Sequence, residues 1–88
     1  MPNIYIFIRL IFVIVILIKD KEIMLKFGAT LKSIRKSKNL SQQALANNAE
    51  IELSQVYRIE KGKINPTLST ISNLAKALEI DIKDLFDF

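Results

Sequence analysis

Cysteine, histidine and tryptophan are absent from the 88 residues, and glycine and proline occur twice each. Without thiols or imidazoles there is no disulfide, no thiolate or imidazole metal site, and no nucleophile–base pair built on Cys or His. Gly28 and Gly62 lie too far apart to form a phosphate-cradling loop or a dinucleotide-binding turn. The acids are scattered, with no paired carboxylates at a spacing that suggests acid–base chemistry. No enzyme activity, cofactor or metal is therefore expected. The length leaves room for one small core and no second domain.

What is present divides into two compositions. Sixteen of the first 23 residues are apolar, against 28 of the remaining 65. The division predicts an apolar N-terminal segment, residues 1–23, ahead of a globular domain, residues 24–88. Charge is uneven too. Residues 24–49 carry Lys26, Lys32, Arg35, Lys36 and Lys38 with no acid, whereas residues 67–88 carry two lysines against four acids. A local basic patch suits a polyanion, but solvated lysines on helix surfaces give the same count, so charge alone does not identify a partner.

Ile4 to Ile18 is apolar throughout except for Arg9. As a helix it spans about 22 Å, against about 30 Å of bilayer hydrocarbon. A basic start and small residues at a cleavage site are missing, which argues against a secretory signal. Three readings stay open. The segment is upstream sequence ahead of a natural start at Met24, or a tilted or bilayer-thinning anchor with the domain on the cytoplasmic side, or an extra strand or helix packed on the domain or a partner. Any membrane contact runs through residues 1–23 alone.

The later stretch reads as all-α, five short helices around one core, with no alternating strand pattern. Phe27, Leu31 and Ile34 recur at i, i+4 and i+7, and Asn39 ends that helix in the left-handed conformation. Ser41 stands as N-cap of a second helix with a thin apolar edge of Leu45, Ala46 and Ala49. A third runs from about Glu52 to Lys61, with Gly62 at the C′ position. Thr67 caps a fourth, whose predicted apolar stripe is Leu68, Ile71, Leu74, Ala75 and Leu78. Asp81 caps a last short turn bearing Ile82, Leu85 and Phe86, with Asp84 at N3.

Two short helices joined by about three residues, with alanines where they meet, cross steeply and push the third helix outward. At about 100° per residue, Val56, Ile59 and Glu60 face inward. Ser54, Arg58 and Lys61 lie opposite, with Gln55 and Tyr57 on the flanks. The strings Leu-Ser-Gln-Gln-Ala-Leu-Ala at 40–46, Val-Tyr-Arg-Ile-Glu-Lys-Gly-Lys at 56–63 and Asn-Pro-Thr-Leu at 65–68 resemble the Cro and phage-repressor-like helix-turn-helix proteins, the Xre-type regulators. The resemblance runs from about Phe27 to Phe86. It implies a lambda-repressor-like DNA-binding domain whose third helix enters the major groove of double-stranded DNA. By the same resemblance Gln42 contacts a phosphate, with Ser41 beside it and Lys61 and Lys63 near the backbone. Leu53, Ser54 and Arg58 hold base-reading positions, and Gln55 and Tyr57 are weaker candidates. Arg58 has the fork for guanine O6 and N7. The resemblance also pairs Arg35 with Glu60 as a structural bridge.

Two departures stand out. Glu50 replaces the usual glycine of the turn, at a cost of about 1–2 kcal/mol if it must be left-handed, so an adjusted turn is one expectation. Glu52 replaces the usual Ser or Thr cap. It either reads cytosine N4 or favours the helix N-terminus, and the second is preferred. The expected function is a cytoplasmic, sequence-specific transcription regulator binding an inverted-repeat operator as a homodimer. The alternatives are an antitoxin or interaction module, gripping a toxin or other protein through Leu85-Phe86-Asp87-Phe88, and a regulator anchored in the inner membrane.

Overall fold

Between Ile4 and Phe27 the chain contains neither proline nor glycine, and helix occupies all of that interval. The computed structural model describes residues 3–88, and in it α1 runs unbroken from Ile4 to Ser37. Asn3 caps its start by accepting from the Tyr5 amide at 3.0 Å. At 1.5 Å per residue, α1 is about 51 Å long, and it sets the 59 Å long axis of a molecule only 23 Å by 19 Å across. The composition boundary at residues 23 and 24 therefore falls inside a helix. Met1 and Pro2, the first two residues of the expected N-terminal segment, lie outside the described residues.

The apolar part of α1 buries nothing: the large side chains from Ile4 to Ile18 are 43–71% exposed, on every face of the helix. Isoleucine and valine lower helix propensity only slightly, so nothing local ends the helix before the domain begins. Among the described residues no helix is long and apolar enough to cross a membrane. Arg9 interrupts the run, and Lys19-Asp20-Lys21-Glu22 closes it too early.

The remaining elements are α2 (Gln42–Ala49), α3 (Leu53–Glu60), α4 (Leu68–Leu78) and a 3₁₀ turn (Ile82–Phe86). Among the described residues the fold is thus four α-helices and a 3₁₀ turn where five helices were expected. The five residues Ile82–Phe86 are too few to stabilise an α-helix, and they form the tighter turn instead. Ser41 and Thr67 cap α2 and α4 by accepting from the Ala44 and Thr70 amides. The Asp84 carboxylate accepts from the Asp81 amide at 3.2 Å.

All four α-helices end in the same way. The residues Asn39, Glu50, Gly62 and Glu79 have φ between 57° and 68°. Each donates to the carbonyl three residues back, and the next amide reaches the carbonyl five back, as in Lys63 to Arg58 at 2.9 Å and Ile51 to Ala46 at 3.0 Å. These are Schellman closures, which satisfy carbonyls a helix end would otherwise orphan. The turn between α2 and α3 is not adjusted for its lack of glycine. Glu50 simply takes the left-handed conformation (φ 57°, ψ 42°).

The core is built from Phe27 and Leu31 of α1, Leu45 and Ala46 of α2, Val56 and Ile59 of α3, the Ile71, Leu74 and Leu78 stripe of α4, and Leu85. The alanines let α2 lie close against both α3 and α4. Leu68, expected in the α4 stripe, is 85% exposed. It occupies the first position of α4, before the helix reaches its neighbours, and the first turn buries Thr70 and Ile71 in its place. The C-terminal residues offered by sequence as a grip for another protein are partly used within the chain. Leu85 is fully buried, and the Phe86 ring packs on Phe27 at 5.1 Å between centroids.

Candidate nucleic-acid interface

An eight-residue helix with about 100° per residue has room for few inward side chains, and α3 uses Val56, Ile59 and Glu60. Leu53, Ser54, Tyr57, Arg58 and Lys61 are exposed, and Gln55 is half-buried. At about 12 Å long, this helix matches the roughly 12 Å width of a DNA major groove. Leu53, Ser54 and Arg58 present an exposed surface away from the core, with Gln55 and Tyr57 at its margins. Among the described residues no carboxylate pairs with Arg58, so its five donors are free for a partner.

Glu52 precedes α3 in an extended conformation, and its side chain makes no capping hydrogen bond. Its negative charge at the positive end of the helix is favourable without one.

At the other end of α3 a buried polar network fixes the helix. The Arg35 guanidinium donates from Nε to Glu60 Oε2 at 2.7 Å and from Nη2 to Glu60 Oε1 at 3.0 Å. Its third nitrogen, Nη1, donates to the Leu40 carbonyl at 2.8 Å. Arg35 is 7% exposed, so this bidentate pair sits in a region of low polarity where geometry matters most. Gln42, the first residue of α2, adds an Nε2 donation to Glu60 Oε1 at 3.0 Å. One carboxylate thereby ties together α1, α2 and α3. Among the described residues no buried side-chain polar atom lacks a partner.

Gln42, expected on a phosphate, thus holds Glu60. One amide N–H is occupied in this way, leaving its second N–H for an external acceptor. Ser41 caps the helix beside it. Beyond α3, the Lys61 and Lys63 ammonium groups lie 5.7 Å and 5.9 Å from the Tyr57 ring centroid, two cations sharing one aromatic. The polar Ser41 and Gln42 at the start of α2 and the basic Lys61 and Lys63 at the end of α3 make a set suited to backbone contacts around a groove contact.

Sequence reasoning did not find the way α1 supports α3. Gly28 is buried where the two helices cross. A methyl group there would collide with the Ile59 carbonyl oxygen and lie 2.8 Å from that of Glu60. The signal was a glycine inside an otherwise regular helical pattern, which marks close backbone approach. Lys21, placed by composition outside the domain, donates from Nζ to the Gly62 carbonyl at 2.5 Å. The composition cut at residue 23 therefore leaves outside the domain a side chain that contacts the turn after α3.

A family model described as helix-turn-helix (HTH_3) matches residues 31–85. The chain belongs to the helix-turn-helix family. It is 40% identical over 68 residues to the control protein C.BamHI of Bacillus amyloliquefaciens, covering 76% of this chain and 84% of that protein. Over 68 residues it is 38% identical to the control protein C.MunI of a Mycoplasma species, covering 74% and 89%. Among solved structures, it resembles the restriction-modification controller C.AhdI of Aeromonas hydrophila. There the identity is 40%, the TM-score 0.71, and the match covers 72% of this chain and 96% of that one. This helix-turn-helix chain is a DNA-binding transcription regulator.

Proposed function

We propose that the chain is an operator-binding regulator of the compact controller type, reading an inverted repeat as a homodimer with α3 in the major groove of each half-site. The observation that carries this reading is coverage. The match takes in 96% of a restriction-modification controller chain, so a domain of this kind makes up nearly the whole of that regulator. A helix of eight residues reaches only a few base pairs, and a second copy supplies the remaining discrimination. Such work belongs in the cytoplasm.

In this reading Arg58 takes guanine O6 and N7, Ser54 contacts a neighbouring base edge, and Leu53 meets a thymine methyl group. Gln55 and Tyr57 act at the edges of the groove. Ser41, the free amide N–H of Gln42, Lys61 and Lys63 hold phosphates, fixing register without reading sequence. Selection of binding sites from random duplexes tests the assignment. Arg58→Ala should lose preference at one base position per half-site, worth about 1–3 kcal/mol, while Lys63→Ala should weaken all sequences alike. An unchanged preferred motif in Arg58→Ala would show that another face of the domain reads DNA.

A further inference from the structure

One ridge of α1 runs along the end of α3. Lys21, Leu25 and Gly28 are spaced i, i+4 and i+7, which places them on one side of the helix. Gly28 lets the backbones approach at Ile59 and Glu60. A turn earlier, Leu25 covers Gly62 so closely that a methyl group on Gly62 would lie 2.8 Å from Leu25 Cδ2 and 2.9 Å from its Cα. One turn earlier again, the Lys21 ammonium donates to the Gly62 carbonyl. Gly62 is the left-handed residue that closes α3. It lies between Lys61 and Lys63, the two cations beside Tyr57. The positive charge of Lys21 also sits near the C-terminal end of α3, where the helix dipole favours it.

We propose that Lys21 is a positioning residue for DNA binding: by pinning the Gly62 carbonyl it holds the turn that aims Lys61 and Lys63 at the phosphate backbone. Lys21 lies ten residues before the start of the family-model match at residue 31, outside the matched residues. The proposal rests on the DNA-binding reading of Lys61 and Lys63. It assigns the part of α1 nearest the domain a function distinct from that of the exposed apolar rod beyond it. A pinned turn presents its cations at lower entropic cost than a loose one, because fewer side-chain and backbone states are lost on binding.

The test uses the full chain and three measurements. Lys21→Met removes the ammonium and keeps an unbranched apolar stem, and Lys21→Arg keeps a cation. In Lys21→Met, hydrogen exchange at the Gly62 and Lys63 amides, which close the turn onto Ile59 and Arg58, should accelerate about tenfold while amides within α4 hold. Affinity for a mixed-sequence duplex should fall about three- to tenfold, and Lys21→Arg should restore both. In a Lys61→Met/Lys63→Met background the same Lys21→Met change should cost less than about twofold, since the effect acts through those cations. Unchanged exchange at the turn overturns the pin, and faster exchange with undiminished affinity overturns its link to phosphate. A full affinity loss in the background lacking both lysines would make Lys21 a phosphate contact in its own right, and the proposal would be wrong. If the wild-type chain ignores the duplex, the DNA reading falls and takes the positioning role with it, whereas the exchange measurement still reports separately whether Lys21 holds Gly62.

Discussion

Removing the Arg35 side chain should cost this domain a large share of its stability. Arg35→Ala deletes two hydrogen bonds to Glu60 and one to the Leu40 carbonyl. It leaves the Glu60 carboxylate, whose side chain is 2% exposed, with Gln42 as its remaining partner in the network. Breaking a buried pair by removing one member costs about 3–5 kcal/mol, mostly because the other charge stays buried. Small domains have only about 5–15 kcal/mol in total. For a domain of 60–100 residues each kcal/mol moves the melting temperature by about 4–8 °C, so the midpoint should fall by about 12 °C or more. A thermal melt followed by circular dichroism measures it. A midpoint within about 2 °C of wild type would refute the reasoning, since it would require the pair to be solvated or replaceable by water.

Glu50 holds a left-handed conformation that costs a side chain about 1–2 kcal/mol. Glu50→Gly should therefore raise stability by about 1 kcal/mol, and a lower denaturation midpoint in urea would contradict this. Gly28→Ala gains about 1 kcal/mol of helix propensity, but its methyl group meets backbone oxygens of α3 that have no room to move. Overpacking of this kind costs about 1–3 kcal/mol or more, so the melt should show net destabilisation, and a stabilised variant would place the helices farther apart than they are here. Residues 24–88 alone should keep the core, whose first buried residue in α1 is Phe27. They should also aggregate less than the full chain, because Leu10 to Ile18 is an exposed, uncharged run of high β propensity. Light scattering of the two at equal concentration checks this, and equal scattering would mean that the rod is not the sticky element.

The parts of the fold governed by local chemistry were legible from residues alone. The Ser41 and Thr67 caps and the left-handed Asn39 and Gly62 follow from side chains competing for, or freeing, nearby backbone groups. The inward set Val56, Ile59 and Glu60 follows from angle alone. What was not legible depends on axial position and on distance between helices. Leu68 has the right angle for the α4 stripe but sits a turn before any neighbour, so periodicity placed it in the core and the structure exposes it. The resemblance puts Gln42 on a phosphate, yet its reach to Glu60 is a tertiary fact that no spacing encodes. The cut at residue 23 followed composition, but helix continuity depends on the absence of breakers, and none occurs between Ile4 and Phe27. Lys21 was separated from the domain on composition, although two turns of the same helix carry it to Gly62.

The Arg35–Glu60 pair raises a question that stability does not answer. Well-packed apolar residues in place of a buried ion pair are often neutral or stabilising, so an apolar contact at this point would hold the domain together at least as well. The two differ in what they constrain. Apolar surfaces tolerate sliding and rotation at little cost, whereas a guanidinium fork on a carboxylate fixes both distance and plane. Glu60 follows Arg58 by two residues on α3, so the rotation of the helix that the fork sets also sets the direction of Arg58. The combined change Arg35→Met with Glu60→Leu separates the two roles. It should recover much of the stability lost in Arg35→Ala, less what the unpartnered Leu40 carbonyl and Gln42 amide cost at about 1–3 kcal/mol each. It should keep much of its affinity for mixed-sequence DNA, since of the proposed phosphate contacts only Gln42 loses a partner, yet discriminate less sharply between base pairs at the Arg58 position. If the apolar pair preserves both stability and base preference, the packing of Val56 and Ile59 is sufficient to aim α3, and the buried charges serve neither purpose.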